Sequence, residues 1–82
     1  MSINNDKTQK VWDKAKKARG KDPDQYRRDT NGNLMFRHSH GKQSDMGWEV
    51  DHSKPVSKGG TDHLNNLNAL NWKENRKKSD KY

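Results

Sequence analysis

Apolar side chains are so scarce in this chain that their supply decides what kind of fold it can build. They make up 24% of the 82 residues, against 35% charged, and the mean hydropathy is −1.68. A composition this lean borders on that of disordered chains. Yet three Trp, two Tyr and one Phe are spread along it, and disordered segments are poor in such residues. The reading is one small domain with a thin core gathered around its aromatics. A scaffold of this size rarely draws more than about 3–5 kcal/mol from its core, and natural ones often add a staple. Cysteine is absent, which excludes a disulfide and a cysteine-based zinc ribbon. An ion held by other ligands stays open.

The formal charge is +7 and the pI about 9.8. That favours a polyanionic partner, whose phosphates give salt-sensitive binding. A solvated lysine face serving only solubility is the plain alternative. No segment approaches the roughly 18 apolar residues of a membrane span. The start, MSINNDKTQK, lacks the apolar stretch of a signal peptide, so the expected address is the cytoplasm.

Along the chain, Asp6-Lys7-Thr8-Gln9 reads as a capping box, and Val11, Trp12, Ala15 and Ala18 recur at helical spacing, with Gly20 as the stop. Residues 26–38 read as a hairpin, because Asn31-Gly32 is a strong turn signal and Leu34 and Phe36 alternate with Met35 and Arg37. In Trp48-Glu49-Val50-Asp51-His52, Trp48 and Val50 alternate inward against Glu49 and Asp51, as a strand would. Pro55 and Lys58-Gly59-Gly60-Thr61 then make a loop. Leu64, Leu67 and Leu70 suggest a turn and a second strand. Asn71-Trp72-Lys73-Glu74 is another capping box, opening a final helix to about Lys81. Trp48 and Trp72 are expected in the core, with Trp12 pinning the first helix to it.

The second half carries the chemistry. Asp51 and His52 end a strand, and Asn66 and Asn75 follow at intervals of fifteen and nine residues. Adjacent strand residues point to opposite sides. Asp51 can therefore face a metal held against the final helix while His52, with some twist, reaches a substrate. Phosphodiester hydrolysis needs such parts: a neutral imidazole to take a proton from water, a cation to polarise the phosphoryl oxygen, and a helix N-terminus near the phosphate.

The run WEVDHSKPVSKGGTDHLNNLNALNWKENRKKSD resembles the HNH endonuclease motif over roughly residues 47–80. Its pieces are the Asp-His pair, Pro55, the Ser57-Lys58-Gly59-Gly60 turn, Asn66-Leu67, and Asn75 with Lys78 three residues on. Several linked elements in the right order make a specific signal. The chain resembles small stand-alone bacterial or phage HNH proteins, and the Asp, His, Asn, Asn set also resembles the HNH domain of CRISPR effector nucleases. The resemblance implies an α+β fold: a ββα-metal (His-Me finger) motif over 47–80, with a helix and hairpin extension over 1–46, in a single domain of residues 1–82. It implies that His52 is the general base and Asp51 the first metal ligand. Asn66 would brace the loop behind the histidine, and Asn75 would be the last ligand. Colicin-type members place a further His one helical turn on, where this chain has Ser79, a poor ligand.

One carboxylate and one amide are hard donors that leave most of a coordination sphere to water and phosphate. Mg²⁺ is therefore expected, with Mn²⁺ as substitute and Zn²⁺ disfavoured. The expected activity is endonucleolytic cleavage of DNA ahead of RNA, weakly sequence-specific because no base-reading element is evident. The resemblance implies 5′-phosphate and 3′-hydroxyl ends. Lys54, Lys58, Arg76 and Lys78 are expected to contact phosphates, although cations late in a helix also suit its dipole. His38, His40 and His63 are expected on the surface rather than at a zinc ion. The rivals are a catalytically silent nucleic-acid-binding module and a subunit of a phage or toxin assembly. A homodimer or a larger phage or defence assembly is compatible with the sequence.

Overall fold

Three residues, Thr8, Val11 and Trp12, fall on one face of a helix, with Ala15 just past its end, and burying that face organises the N-terminal half. In the computed structural model, which describes residues 5–79, this helix is α1 (Asn5–Lys14). After it come β1 (Lys16–Lys17), β2 (Tyr26–Arg28), β3 (Leu34–Phe36), β4 (Trp48–His52), β5 (Leu67–Asn71) and α2 (Trp72–Ser79). Short 3₁₀ turns at Arg37–Ser39, Val56–Lys58 and Leu64–Asn66 join them. The strands form two antiparallel sheets, β1-β2-β3 and β4-β5. The α+β class and the ββα order are thus as expected, with β4, β5 and α2 as the motif.

The first helix departs from its expected length. It starts at Asn5, and Gln9 bonds Asp13 Oδ1 (3.0 Å) and accepts from Arg37 Nε (3.0 Å). It ends at Lys14 rather than near Gly20, because Lys16 and Lys17 pair with Arg28 and Arg27 as an edge strand. The cause is Arg27, only 8% exposed. Its guanidinium donates to the carbonyls of Asp13 (3.1 Å), Ala15 (2.9 Å) and Pro23 (2.9 Å). Helix-end carbonyls need such partners, and a buried guanidinium supplies them here without a further helical turn.

The hairpin forms with Arg27 opposite Met35 and a loop over 29–33. Met35 is the residue it sends fully inward, while Leu34 and Phe36 are half-buried. Gly32 takes a left-handed φ of +87° at the tip. Asp29, 1% exposed, organises the turn. It accepts from the backbone of Asn31 (3.0 Å) and Asn33 (2.8 Å), from Asn33 Nδ2 (3.1 Å), and from the Asn71 backbone N–H (3.1 Å). One satisfied carboxylate therefore ties the hairpin loop to the start of α2.

The core is Val11, Trp12, Met35, Trp48, Leu67 and Ala69. The Trp12 and Trp48 rings lie 5.1 Å apart at 40°, so Trp12 does pin α1 to β4. Trp72 corrects the expectation of a core residue: it is half-buried, with its indole N–H on Ser44 O (2.7 Å). Asn71 caps α2 by accepting from Lys73 N (3.0 Å). Glu74, the other half of that expected box, bonds Asn31 (3.5 Å) and pairs with Lys77 (3.7 Å). The expected helix end near Lys81 lies outside the described residues. Among the described residues, no helix is long and apolar enough to cross a membrane.

Candidate active site

Strand periodicity divides the side chains of β4 between two faces. Paired residues of an antiparallel ladder share a face. Trp48, Val50 and His52 therefore share theirs with Asn71, Ala69 and Leu67, and Glu49 and Asp51 share the other with Leu70 and Asn68. α2 covers the second face. Asn75 Nδ2 donates to Glu49 Oε1 (2.8 Å), Arg76 Nη2 to Glu49 Oε2 (3.1 Å), and Lys78 Nζ to Asp51 Oδ2 (2.7 Å) and His52 O (3.0 Å). Asn75 and Lys78, three apart, project from one side of the helix. The Asn75 nitrogen is committed to Glu49, so the amide oxygen lies on the opposite edge of the group.

The loop after β4 is held by one side chain. Asn66 Oδ1 accepts from the Lys54 backbone N–H (2.8 Å), and its Nδ2 donates to the carbonyls of Lys54 (3.1 Å) and Thr61 (2.7 Å). The loop closes tightly on itself, with Gly60 N donating to Pro55 O (2.9 Å). Two glycines are required there. Gly59 has φ +88°, and a Cβ on Gly60 would sit 1.8 Å from Lys54 O. The closed loop delivers Asp62, whose Oδ1 lies 2.7 Å from His52 Nε2.

These elements enclose an open cleft of about 330 Å³ lined by Asp51, His52, Asn75 and Lys78, with Pro55 and Val56 among its apolar walls. Four of the residues picked from the sequence thus meet in one place. Asn66 stands behind the loop rather than in the cleft. Lys54, Lys58 and Arg76 are exposed and outside the lining, Arg76 being tied to Glu49. A second cleft of about 470 Å³ shares Asp51 and Lys78 and adds Thr30, Asn31 and Lys77, so the hairpin loop adjoins the same surface.

Two residues of the site escaped the sequence reading. Glu49 lies two before Asp51, and strand period alone puts both on one face. Asp62 had no such signal, because only the folded loop brings it to His52.

The donor set bears on what ion could bind. Among the described residues no group of three or more His, Cys, Asp or Glu is arranged around one point. The oxygen donors at the cleft come from Asp51 and Asn75, which suits a hard ion that keeps its waters better than tight zinc binding. The Lys78 ammonium already shares Asp51, so an entering cation would share that carboxylate with it. His38, His40 and His63 are exposed, as expected. The His40 ring lies 4.5 Å from that of Trp48. Although the residue is exposed as a whole, its ring is partly shielded from water, which lowers its pKa from the ordinary value; Arg37 lowers it further, and Glu49 opposes both.

No curated protein and no solved structure is similar enough to this chain to be matched. A sequence model of the HNH endonuclease family does match it, over residues 37–81. The match takes in the Arg37–Ser39 turn, both strands of the ββα unit, the Asn66 loop and α2. Since it covers more than half of the chain, the protein belongs to the HNH endonuclease family.

Proposed function

We propose that the protein is an endonuclease that hydrolyses DNA phosphodiesters at the Asp51–His52–Asn75 cleft. HNH endonucleases act on nucleic acid and generally use a divalent metal ion. The observation that carries the finer reading is the convergence of a carboxylate, an imidazole and an amide from β4 and α2 on one open cleft. His52 draws a proton from water as the water oxygen attacks phosphorus. Asp51 and Asn75 would hold the ion, Mg²⁺ with Mn²⁺ as substitute, and Asn66 keeps the loop behind His52 in place. When bound, the ion supplies Lewis acidity at the phosphoryl oxygen and offsets charge on the departing oxygen. The P–O3′ bond breaks, leaving a 5′-phosphate and a 3′-hydroxyl end.

The Lys78 ammonium lies 2.7 Å from Asp51, so a phosphate bound at Asp51 would have this positive charge beside it. Lys54, Lys58 and Arg76 contact flanking phosphates, consistent with the +7 charge. The motif is carried by residues 47–80, and residues 1–46 support it within one domain. With phosphate contacts and no base-reading element, cleavage is weakly sequence-specific. The test is plasmid relaxation by the purified protein with Mg²⁺, Mn²⁺, Zn²⁺ or EDTA, followed by end-labelling of the products. Nicking with Mg²⁺ and Mn²⁺, abolished by EDTA and leaving 5′-phosphates, is expected. Salt-sensitive binding without cutting under any ion would replace this reading with a silent binding module.

A further inference from the structure

A general base acts through one nitrogen, and nothing in the sequence says which nitrogen of His52 that is. The folded loop supplies an answer. His52 Nε2 lies 2.7 Å from Asp62 Oδ1, with side-chain exposures of 25% and 20%, so the contact is largely shielded from water. An ionised carboxylate only accepts hydrogen bonds, so at this distance Nε2 carries the proton. In a neutral imidazole the lone pair then belongs to Nδ1.

The pair is not a chance meeting of flexible side chains. Asn66 bonds the backbone of Lys54, two residues after His52, and that of Thr61, one residue before Asp62. A single amide thus sets the spacing between the two chain segments that carry the imidazole and the carboxylate. The Ser53 N–H, donating to Asn66 O (2.9 Å), adds a further tie at the end of β4.

We infer that Asp62 is a positioning residue for His52. Its carboxylate locks the imidazole in the Nε2–H tautomer and makes Nδ1 the atom that accepts the proton from water. The inference rests on His52 as the base, and Asp62 itself neither gains nor loses a proton. Without Asp62 the ring is free to turn and to sample both tautomers, so turnover falls while substrate binding does not.

The test has a spectroscopic arm and a kinetic arm. Protein labelled with ¹⁵N at histidine, free of metal and at a pH of about 9 where ordinary imidazoles are neutral, reports each ring nitrogen by its chemical shift. The His52 resonances are assigned by their loss in His52→Ala. A protonated Nε2 and an unprotonated Nδ1 are expected in the wild type, with loss of that single-tautomer pattern in Asp62→Ala. A wild-type Nδ1–H tautomer, or an averaged pattern, overturns the inference even if the variant fails to fold. In cleavage assays, Asp62→Ala is expected to lower kcat by about 10–100-fold with KM unchanged, the scale of a misplaced catalytic group. Asp62→Glu regains part of that loss. Asp62→Asn does not, because its amide can turn to donate to Nε2. An Asp62→Ala kcat close to wild type refutes the role. If the wild type cuts nothing, the nuclease reading falls while the ring spectra still decide the pairing.

Discussion

Gly60→Ala probes the loop on which the whole site depends. A Cβ there would lie 1.8 Å from Lys54 O, 2.6 Å from Lys54 C and 2.8 Å from Pro55 O, all backbone atoms with no rotamer to yield. Ordinary contact begins near 3.4 Å, so the chain must open by well over an ångström. That opening breaks the Gly60 N–Pro55 O bond (2.9 Å) and the two bonds between Asn66 and Lys54 (2.8 and 3.1 Å). Each is worth about 1 kcal/mol net, which gives a loss of about 2–3 kcal/mol. For a domain of this size that lowers Tm by roughly 10–20 °C. Gly59→Ala is the control. Its φ of +88° costs about 1–2 kcal/mol for an L side chain, but its Cβ meets only the Lys54 side chain, at 3.8 Å. Both changes stiffen the unfolded chain alike, so that effect cancels in the comparison. Thermal melts followed by tryptophan fluorescence, beside cleavage rates, should place Gly60→Ala well below Gly59→Ala in both. Equal melts, or a more damaged Gly59→Ala, would refute the closed loop and with it the support behind His52.

Removing Lys54 is expected to reduce the log–log salt slope of DNA binding by about one, with a smaller change for Arg76, whose charge is shared with Glu49 at 3.1 Å. Titrating binding of a labelled duplex against KCl checks this. His40 titrates below the ordinary imidazole value of 6.5 in the folded protein. Its contribution to stability is therefore complete above that value and is lost as pH falls through the lowered one. Urea midpoints should accordingly fall less between neutral and mildly acid pH in His40→Gln than in the wild type.

What could be read from the sequence followed from short-range rules. Strand period placed Asp51 against α2 and the Asn71 cap marked where α2 begins, while the resemblance to the HNH motif paired Asp51 with Asn75, which line one cleft. The aromatics supplied the core as composition demanded, with Trp12 on Trp48. The failures came where distant residues overrode local pattern. α1 reads as continuing to Gly20 until Arg27, folded back from the hairpin, takes the carbonyls of Asp13 and Ala15. Trp72 sits at an apolar phase, but Ser44 O offers its indole a partner outside the core. Asp62 is an ordinary loop aspartate until Asn66 closes the loop and sets it on His52. No local pattern announces that Lys78 meets the carboxylate of Asp51 and the carbonyl of His52, which follows from α2 lying directly over that end of β4.

Phosphodiester cleavage by this chain is proposed to use His52 as the base. The most direct measurement is single-turnover cleavage of a supercoiled plasmid in Mg²⁺ by wild type and His52→Ala, with matched melts to show that both are folded. A fall of about 10²–10⁴-fold in the variant, the usual worth of a general base, is expected. A folded His52→Ala protein that cuts at the wild-type rate would contradict the account and move the chemistry to another part of the molecule.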